Sequence, residues 1–194
     1  MRQPEFILYT GPMFASKTTK LLSTLDRFKR KNLEVVAFKP SADIRFSVAH
    51  IMTHNGASIQ AQSLQDGMDL EHFLATKLRQ GHLIDVIGVD EAFMIPNIGR
   101  VLVDWYRKGT TIVVSSIQMS AALEPFPEIA HIMPWATHIE VCSSICGECD
   151  QDAYLTASRF EFIERANTPQ LGGAELYSPL CHQHFTKLRE RKNV

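Results

Sequence analysis

The segment Phe6-Ile-Leu-Tyr9 is an uninterrupted apolar run that stops at Gly11, and a helical pattern begins just beyond it at Lys17. A run without polar alternation suits a strand buried on both faces, which is the habit of parallel sheets. Parallel neighbours need a crossover, and the chain from Lys17 to about Lys31 supplies one. Leu21, Leu22, Leu25 and Phe28 recur there at helical spacing. Arg27, Lys29, Arg30 and Lys31 crowd its far end, where positive charge complements the helix dipole. The same alternation continues with a strand at Glu34–Phe38, a helix over Leu70–Arg79 and the run IDVIGVD ending at Asp90. A helix over 97–107 and a strand at Thr111–Ser115 complete it. Strand–helix alternation of this kind predicts an α/β fold with a parallel sheet flanked by helices.

The segment joining the first strand to the first helix is Gly11-Pro12-Met13-Phe14-Ala15-Ser16-Lys17-Thr18. A strand–loop–helix with this ending is the setting of a phosphate-binding loop (P-loop). Successive backbone N–H groups and the helix N-terminus surround phosphate oxygens, the lysine reaches the β- and γ-phosphates, and the hydroxyl of Thr18 ligates Mg²⁺. The usual glycine before the lysine is Ser16 here, at a place where close backbone approach or an unusual φ is needed. A second signal supports the first. The apolar strand Val86–Val89 ends in Asp90-Glu91. An acid at this strand end lies beside the Mg²⁺–phosphate site, and the adjacent carboxylate can serve as general base toward a substrate hydroxyl.

All four cysteines fall in the last third of the chain, as Cys142, Cys146, Cys149 and Cys181. Cys146-x-x-Cys149 and Cys181-x-x-His184 form two ligand pairs, three thiolates and one imidazole, the donor set of a closed structural zinc site. Four protein ligands leave no open position, so the metal stabilises rather than catalyses. Cys142 stands outside the pairing and reads as a packed strand residue. These signals divide the chain into an α/β nucleotide-binding domain (1–141), a zinc-stapled lobe (142–185) and a basic, flexible tail (186–194).

Composition excludes other classes. Twenty basic residues balance 21 acidic ones, which argues against a broad electrostatic grip on nucleic acid. No apolar run approaches the roughly 20 residues of a membrane span, and MRQPEFILYTG is too short in its apolar part for a secretory signal. Clustered CxxC cysteines suit a reducing compartment, so the expected location is the cytoplasm.

Taken in order, these motifs resemble the zinc-containing (type II) thymidine kinases, from Tyr9 to Phe185. GPMFASKT resembles that family's GPMFSGKT-like loop, including the Pro-Met-Phe that other phosphate loops lack. Asp43-Ile-Arg45-Phe46 resembles its DxR(F/Y) segment, and Thr53-His54-Asn55-Gly56 its SHNG-like turn. Asp90-Glu91-Ala92 stands where the family has DEAQF, and Pro125-Phe126 matches the PF of the loop after the next strand. Gly172-Gly173-Ala174-Glu175-Leu176-Tyr177 resembles the lasso that closes over the nucleoside. The resemblance implies transfer of the ATP γ-phosphoryl group to the 5′-hydroxyl of thymidine, with Glu91 as base and Arg45 on phosphate. Met13, Phe126, Leu171, Gly172 and Tyr177 would hold the nucleoside. It further implies Mg²⁺ with ATP, a structural Zn²⁺ and a homotetramer.

Four residues depart from the family pattern: Ser16, Phe93 in place of Gln, Gln118 in place of an acid, and Ala121 in place of an aromatic. Loss of a stacking ring costs about 1 kcal/mol of base binding, and Phe93 is placed to refill the space. Two alternatives share parts of the pattern. One is a divergent nucleotide-binding paralogue with weak or no kinase activity, or a kinase of another deoxynucleoside. The other is an ATPase using Glu91 on water, for which a lasso has no use.

Overall fold

The computed structural model describes residues 3–44, 49–53, 55–159 and 172–192. In chain order the first elements are β1 (Phe6–Thr10), α1 (Lys17–Lys29), β2 (Val35–Pro40), β3 (His50–Met52), β4 (Ser58–Gln60) and β5 (Gln62–Leu64). There follow α2 (Gly67–Arg79), β6 (Val86–Asp90), α3 (Ile98–Arg107), β7 (Thr111–Ser115), α4 (Pro127–Ile132) and β8 (His138–Val141). Six of these strands form one parallel sheet in the order β5-β2-β6-β7-β1-β8. Among the described residues no helix is long and apolar enough to cross a membrane.

The apolar runs are continuous because both faces are covered. Along β1, Ile7 and Tyr9 pack with Leu21, Leu25 and Phe28 of α1. Phe6 and Leu8 alternate onto the other face, into the cluster that also holds Leu70 and Leu74 of α2, Leu102 of α3 and Ile129 of α4. In β6 the same alternation puts Ile87 and Val89 on the second face, while Gly88 lies under α1. A Cβ at Gly88 would come 2.5 Å from the Leu25 Cδ1, so this glycine lets α1 approach the sheet. Leu25 is fully buried there, a position where truncation to alanine costs about 2–5 kcal/mol.

The predicted helices and strands are present, with boundaries that local chemistry moves. Helix α2 begins at Gly67 rather than Leu70, because Asp66 caps it and Asp69 completes a capping box. Three sheet-side elements lack a sequence signal. Strand β8 is an edge strand with mostly exposed side chains, β5 has three residues, and α4 has six and starts on Pro127.

Beyond β8 the chain forms two small antiparallel pairs: β9 (Ser144–Ile145) with β10 (Asp152–Ala153), and β11 (Leu155–Ser158) with β12 (Tyr177–Leu180). Helix α5 (His182–Lys192) closes the described chain. It runs through most of the segment read as a flexible tail, with Phe185 buried in the lobe and Leu188 packed beside it. Among the described residues the core of this lobe is Cys146, Ala153, Ala157, Leu180, Cys181 and Phe185. Two of these six described residues are themselves candidate metal ligands, and a small core of this kind suits a metal staple.

Candidate active site

The carboxyl ends of β1, β6 and β7 lie side by side, and the chemistry-bearing residues leave the sheet there, as is general for parallel α/β sheets. After β1 the chain turns at Gly11, whose φ is 134°. A Cβ at Gly11 would fall 2.2 Å from the Cys142 carbonyl oxygen, so only glycine lets the loop pass against the strand beside it. Phe14 and Ser16 then adopt left-handed backbone conformations, with φ of 62° and 56°. Ser16 thus takes the conformation that a glycine would adopt without strain, at a cost of about 1–2 kcal/mol. Its side chain makes no capping hydrogen bond to α1.

Lys17, the first residue of α1, is buried and its ammonium donates to the Pro12 carbonyl at 2.5 Å. Thr18 Oγ1 donates to the Asp90 carboxylate at 3.2 and 3.3 Å to its two oxygens. Ser115, paired with Asp90 across β6 and β7, donates to the same carboxylate. Burial, and then the charge of Glu91 beside it, push the Asp90 carboxyl up to about 7, against the lowering hydrogen bonds from Ser115 and Thr18. Asp43 adds to the rise, which places this acid of the DxR-like segment near the same centre. Glu91 is half-buried and left-handed (φ 49°), and it opens a short 3-10 turn, Ala92–Met94.

That turn carries Phe93 onto Phe126, with ring centroids 4.6 Å apart. Phe93 N–H donates to Ser116 Oγ at 3.1 Å. Phe126 N–H donates to the Gln118 carbonyl at 3.0 Å, and the Gln118 side-chain oxygen accepts from Thr10. The departures at Phe93 and Gln118 therefore have partners: one supplies an aromatic face and the other ties the β7 loop to the end of β1. Ala121, in the same loop, is buried.

The lobe reaches back to the phosphate loop. Met13 N–H donates to Thr156 Oγ1 of β11 at 3.1 Å, and Ser144 Oγ donates to the Phe14 carbonyl at 3.4 Å. Two residues beyond Thr156, Ser158 pairs with Tyr177, the buried first residue of β12. Gly172 is the first described residue of the lasso, and the Gly173 carbonyl accepts from Leu176 and Tyr177 N–H, both at 3.1 Å. Arg45, Phe46, His54 and Leu171 lie outside the described residues. The sequence reading gave Thr156 and Ser115 no role at the site. Ser115 carries a signal in retrospect, a polar end to an apolar strand adjacent to Asp90, whereas Thr156 sits in a strand with no motif at all.

Cys146, Cys149, Cys181 and His184 converge, with all ligand atoms within 4.8 Å of one another. Cys181 Sγ lies 3.3 Å and Cys146 Sγ 3.7 Å from His184 Nδ1, and the Cys149 and Cys181 sulfurs are 4.0 Å apart. Tetrahedral zinc with bonds of about 2.0–2.3 Å would set its ligands about 3.3–3.8 Å apart, so the cluster fits the ion. Burial raises the Cys146 thiol, but hydrogen bonds from the Cys181 and Glu148 backbone and from Cys149 bring it down to about 6. At Cys149 a lowering hydrogen bond from the Gln151 backbone is outweighed by burial and the neighbouring Cys146 and Cys181 sulfurs, so that thiol is raised.

Comparison with known proteins agrees with this geometry. A protein named thymidine kinase from Pyrobaculum aerophilum is 26% identical over 185 residues, covering 92% of this chain and 97% of its own. The thymidine kinase of a Roseiflexus species is 28% identical over 181 residues, covering 88% and 89%. That of Ureaplasma urealyticum is 29% identical over 182 residues, covering 91% and 80%. The model of the thymidine kinase family matches residues 5–185, which takes in the phosphate loop, the Asp90–Glu91 strand end and the four-ligand cluster. The chain belongs to the thymidine kinase family, and it is a kinase.

Proposed function

We propose that the protein transfers the γ-phosphoryl group of ATP to the 5′-hydroxyl of thymidine, giving dTMP and ADP. The observation that carries this reading is the convergence of Thr18, Asp90 and Glu91 where the phosphate loop meets the end of β6. In the reaction the 5′-oxygen forms a bond to the γ-phosphorus as the bond to the bridging β–γ oxygen breaks, and ADP leaves with that electron pair. Glu91 takes the hydroxyl proton onto its carboxylate. The Lys17 ammonium and the N–H groups of the loop stabilise the charge spread over the transferring phosphoryl. Arg45 is assigned to phosphate by its place in the DxR-like segment. Mg²⁺ brought with ATP would be held by Thr18 and Asp90 and would neutralise phosphate charge. Cys146, Cys149, Cys181 and His184 would hold zinc, which stabilises the lobe.

The thymine ring would lie between the lasso main chain, from Leu171 and Gly172, and apolar faces from Met13, Phe126 and Tyr177. Phe93 adds a second ring beside Phe126 and supports keeping a flat base there despite Ala121. The homotetramer implied by the family resemblance and the cytoplasmic location expected from the clustered cysteines belong to the same proposal. A sedimentation mass of four chains checks the first.

ADP production from Mg-ATP with thymidine, deoxyuridine, deoxycytidine or no nucleoside, run beside Glu91→Gln, tests the reading. Thymidine-dependent turnover that falls at least a hundredfold in Glu91→Gln is the expected result, since loss of a general base costs about 10²–10⁴. Equal ADP production without nucleoside would replace the reading with an ATPase. Turnover absent from folded, zinc-loaded protein would leave a nucleotide-binding relative.

A further inference from the structure

The 3-10 turn that follows Glu91 ends at an unusual helix start. Asn97, the N-cap of α3, is left-handed at φ 60° and makes no side-chain cap. Its amide Nδ2 instead donates to Asp66 Oδ2 at 2.8 Å, so the free N–H groups at the start of α3 need another acceptor. Glu128, from the first turn of α4, supplies it. One carboxylate oxygen accepts from Asn97 N–H at 2.9 Å and the other from Gly99 N–H at 2.7 Å. A carboxylate in this place also complements the dipole of α3. There is no slack in the contact. A Cβ at Gly99 would meet the Glu128 carbonyl at 2.9 Å and its Oε2 at 3.0 Å.

The chain positions of these groups give the contact a meaning beyond capping. Glu128 stands two residues after Phe126, and Asn97 six residues after Glu91. Phe93, between Glu91 and Asn97, packs its ring on Phe126. The β7–α4 loop and the turn carrying the base are therefore joined twice, by the ring pair and by the Glu128 carboxylate. From the other side the turn is held by Gly67 N–H, which donates to the Pro96 carbonyl at 2.8 Å.

We propose that Glu128 is a positioning residue, which fixes the turn bearing Glu91 relative to the Phe126 wall and so sets the attack geometry of the bound nucleoside. The inference rests on the kinase reading above. Glu128 touches no reacting atom; it acts through Asn97 and Gly99 on the main chain. Displacement of a reacting group by about 1 Å costs up to a hundredfold in rate, so partial release of this clamp is felt in kcat. The phosphate loop is attached elsewhere, through Thr156 and Cys142, so KM for ATP is spared.

The test compares Glu128→Ala and Glu128→Gln in the zinc-loaded full chain, assayed well below each variant's melting temperature. Glu128→Ala is expected to lose about tenfold in kcat with KM for ATP unchanged, and Glu128→Gln, which keeps one amide acceptor, about threefold. Amide hydrogen exchange at Phe93 and Asn97 is expected to speed up about tenfold in Glu128→Ala. A kcat within twofold of the parent, or Phe93 exchange at the parental rate, overturns the inference, as does a kcat loss matched by an equal rise in KM for ATP. If Glu128→Ala does not fold, Glu128→Gln carries the same comparisons. Exchange is read without any substrate. A parent protein without thymidine-dependent turnover would therefore sink the kinase reading while the Phe93 exchange still decides whether Glu128 holds the turn.

Discussion

Thr156→Val removes a single acceptor and leaves the side-chain shape nearly unchanged, which makes it a clean probe of the link between the lobe and the phosphate loop. Thr156 is buried and its hydroxyl accepts from Met13 N–H at 3.1 Å. Deleting one partner of a buried neutral hydrogen bond leaves the other unsatisfied and costs about 1–3 kcal/mol. The N–H concerned lies immediately before Phe14, one of two non-glycine loop residues in the left-handed region. Such conformations cost about 1–2 kcal/mol each and persist only where the surroundings over-determine them. The loop therefore has strain to release once this tether is gone. The expected loss of about 1–2 kcal/mol corresponds to a melting temperature lower by about 2–8 °C for a chain of this size. If the relaxed loop must be rebuilt on binding, affinity for ADP falls about 5- to 30-fold. Calorimetric titration with ADP, without nucleoside, measures this directly beside a thermal scan. Thr156→Ser keeps the acceptor and should recover most of the affinity. An unchanged ADP affinity in Thr156→Val, or a serine variant as weak as the valine one, would refute the reasoning.

Two further outcomes follow from the titratable groups. Asp90 has a native pKa raised from 3.8 to about 7, so the folded protein without Mg²⁺ or nucleotide binds a proton more tightly than the unfolded chain. Stability from this group is full below about pH 4 and is lost as pH rises toward 7, by an amount on the order of 2–4 kcal/mol. Melting scans from pH 5 to 8 should show that decline, and Asp90→Asn should flatten it; a parent profile that rises over this window contradicts the assignment. Zinc removal should unfold the lobe, whose described core includes the ligands Cys146 and Cys181 themselves, and a chelator is expected to lower the melting temperature by more than about 5 °C. A chelated protein that melts with the zinc-loaded one would show that the four-ligand cluster is not a staple.

The central sheet was legible in the sequence wherever a strand was buried on both faces. FILY, EVVAF and TIVVS are continuous apolar runs because α1 covers one side and α2, α3 and α4 the other. The same rule explains why β8 was missed. As an edge strand it needs no continuous apolar run, and its residues His138, Ile139 and Val141 are exposed. At the candidate site, the places of Lys17 and Thr18 at the start of α1 and of Asp90 and Glu91 at the end of β6 were legible, because the loop pattern fixes residue type and spacing and an apolar strand ending in two acids marks itself. Thr156, Ser115 and Glu128 were not. Their partners lie 143, 25 and about 30 residues away in the chain, and a lone hydroxyl or carboxylate at such a distance has no local pattern to announce it.

The two long-range tethers divide the site in a way that the motifs do not. The phosphate loop is positioned from the C-terminal side of the chain, by Cys142 against Gly11 and by Thr156 on Met13. The turn after Glu91 is held from α4, by Glu128 on Asn97 and Gly99 and by Phe126 on Phe93. On the proposed reading, the tether to the phosphate loop and the tether to the turn after Glu91 thus come from different elements, β11 and α4. Ser16 takes its glycine-like conformation in a loop that the first set holds at Gly11 and Met13. Perturbing the metal cluster should then be felt first as weaker nucleotide binding, and perturbing Glu128 first as slower turnover. A single assay that varies ATP and thymidine independently separates the two, and equal effects of both perturbations on both substrates would mean that the site moves as one body.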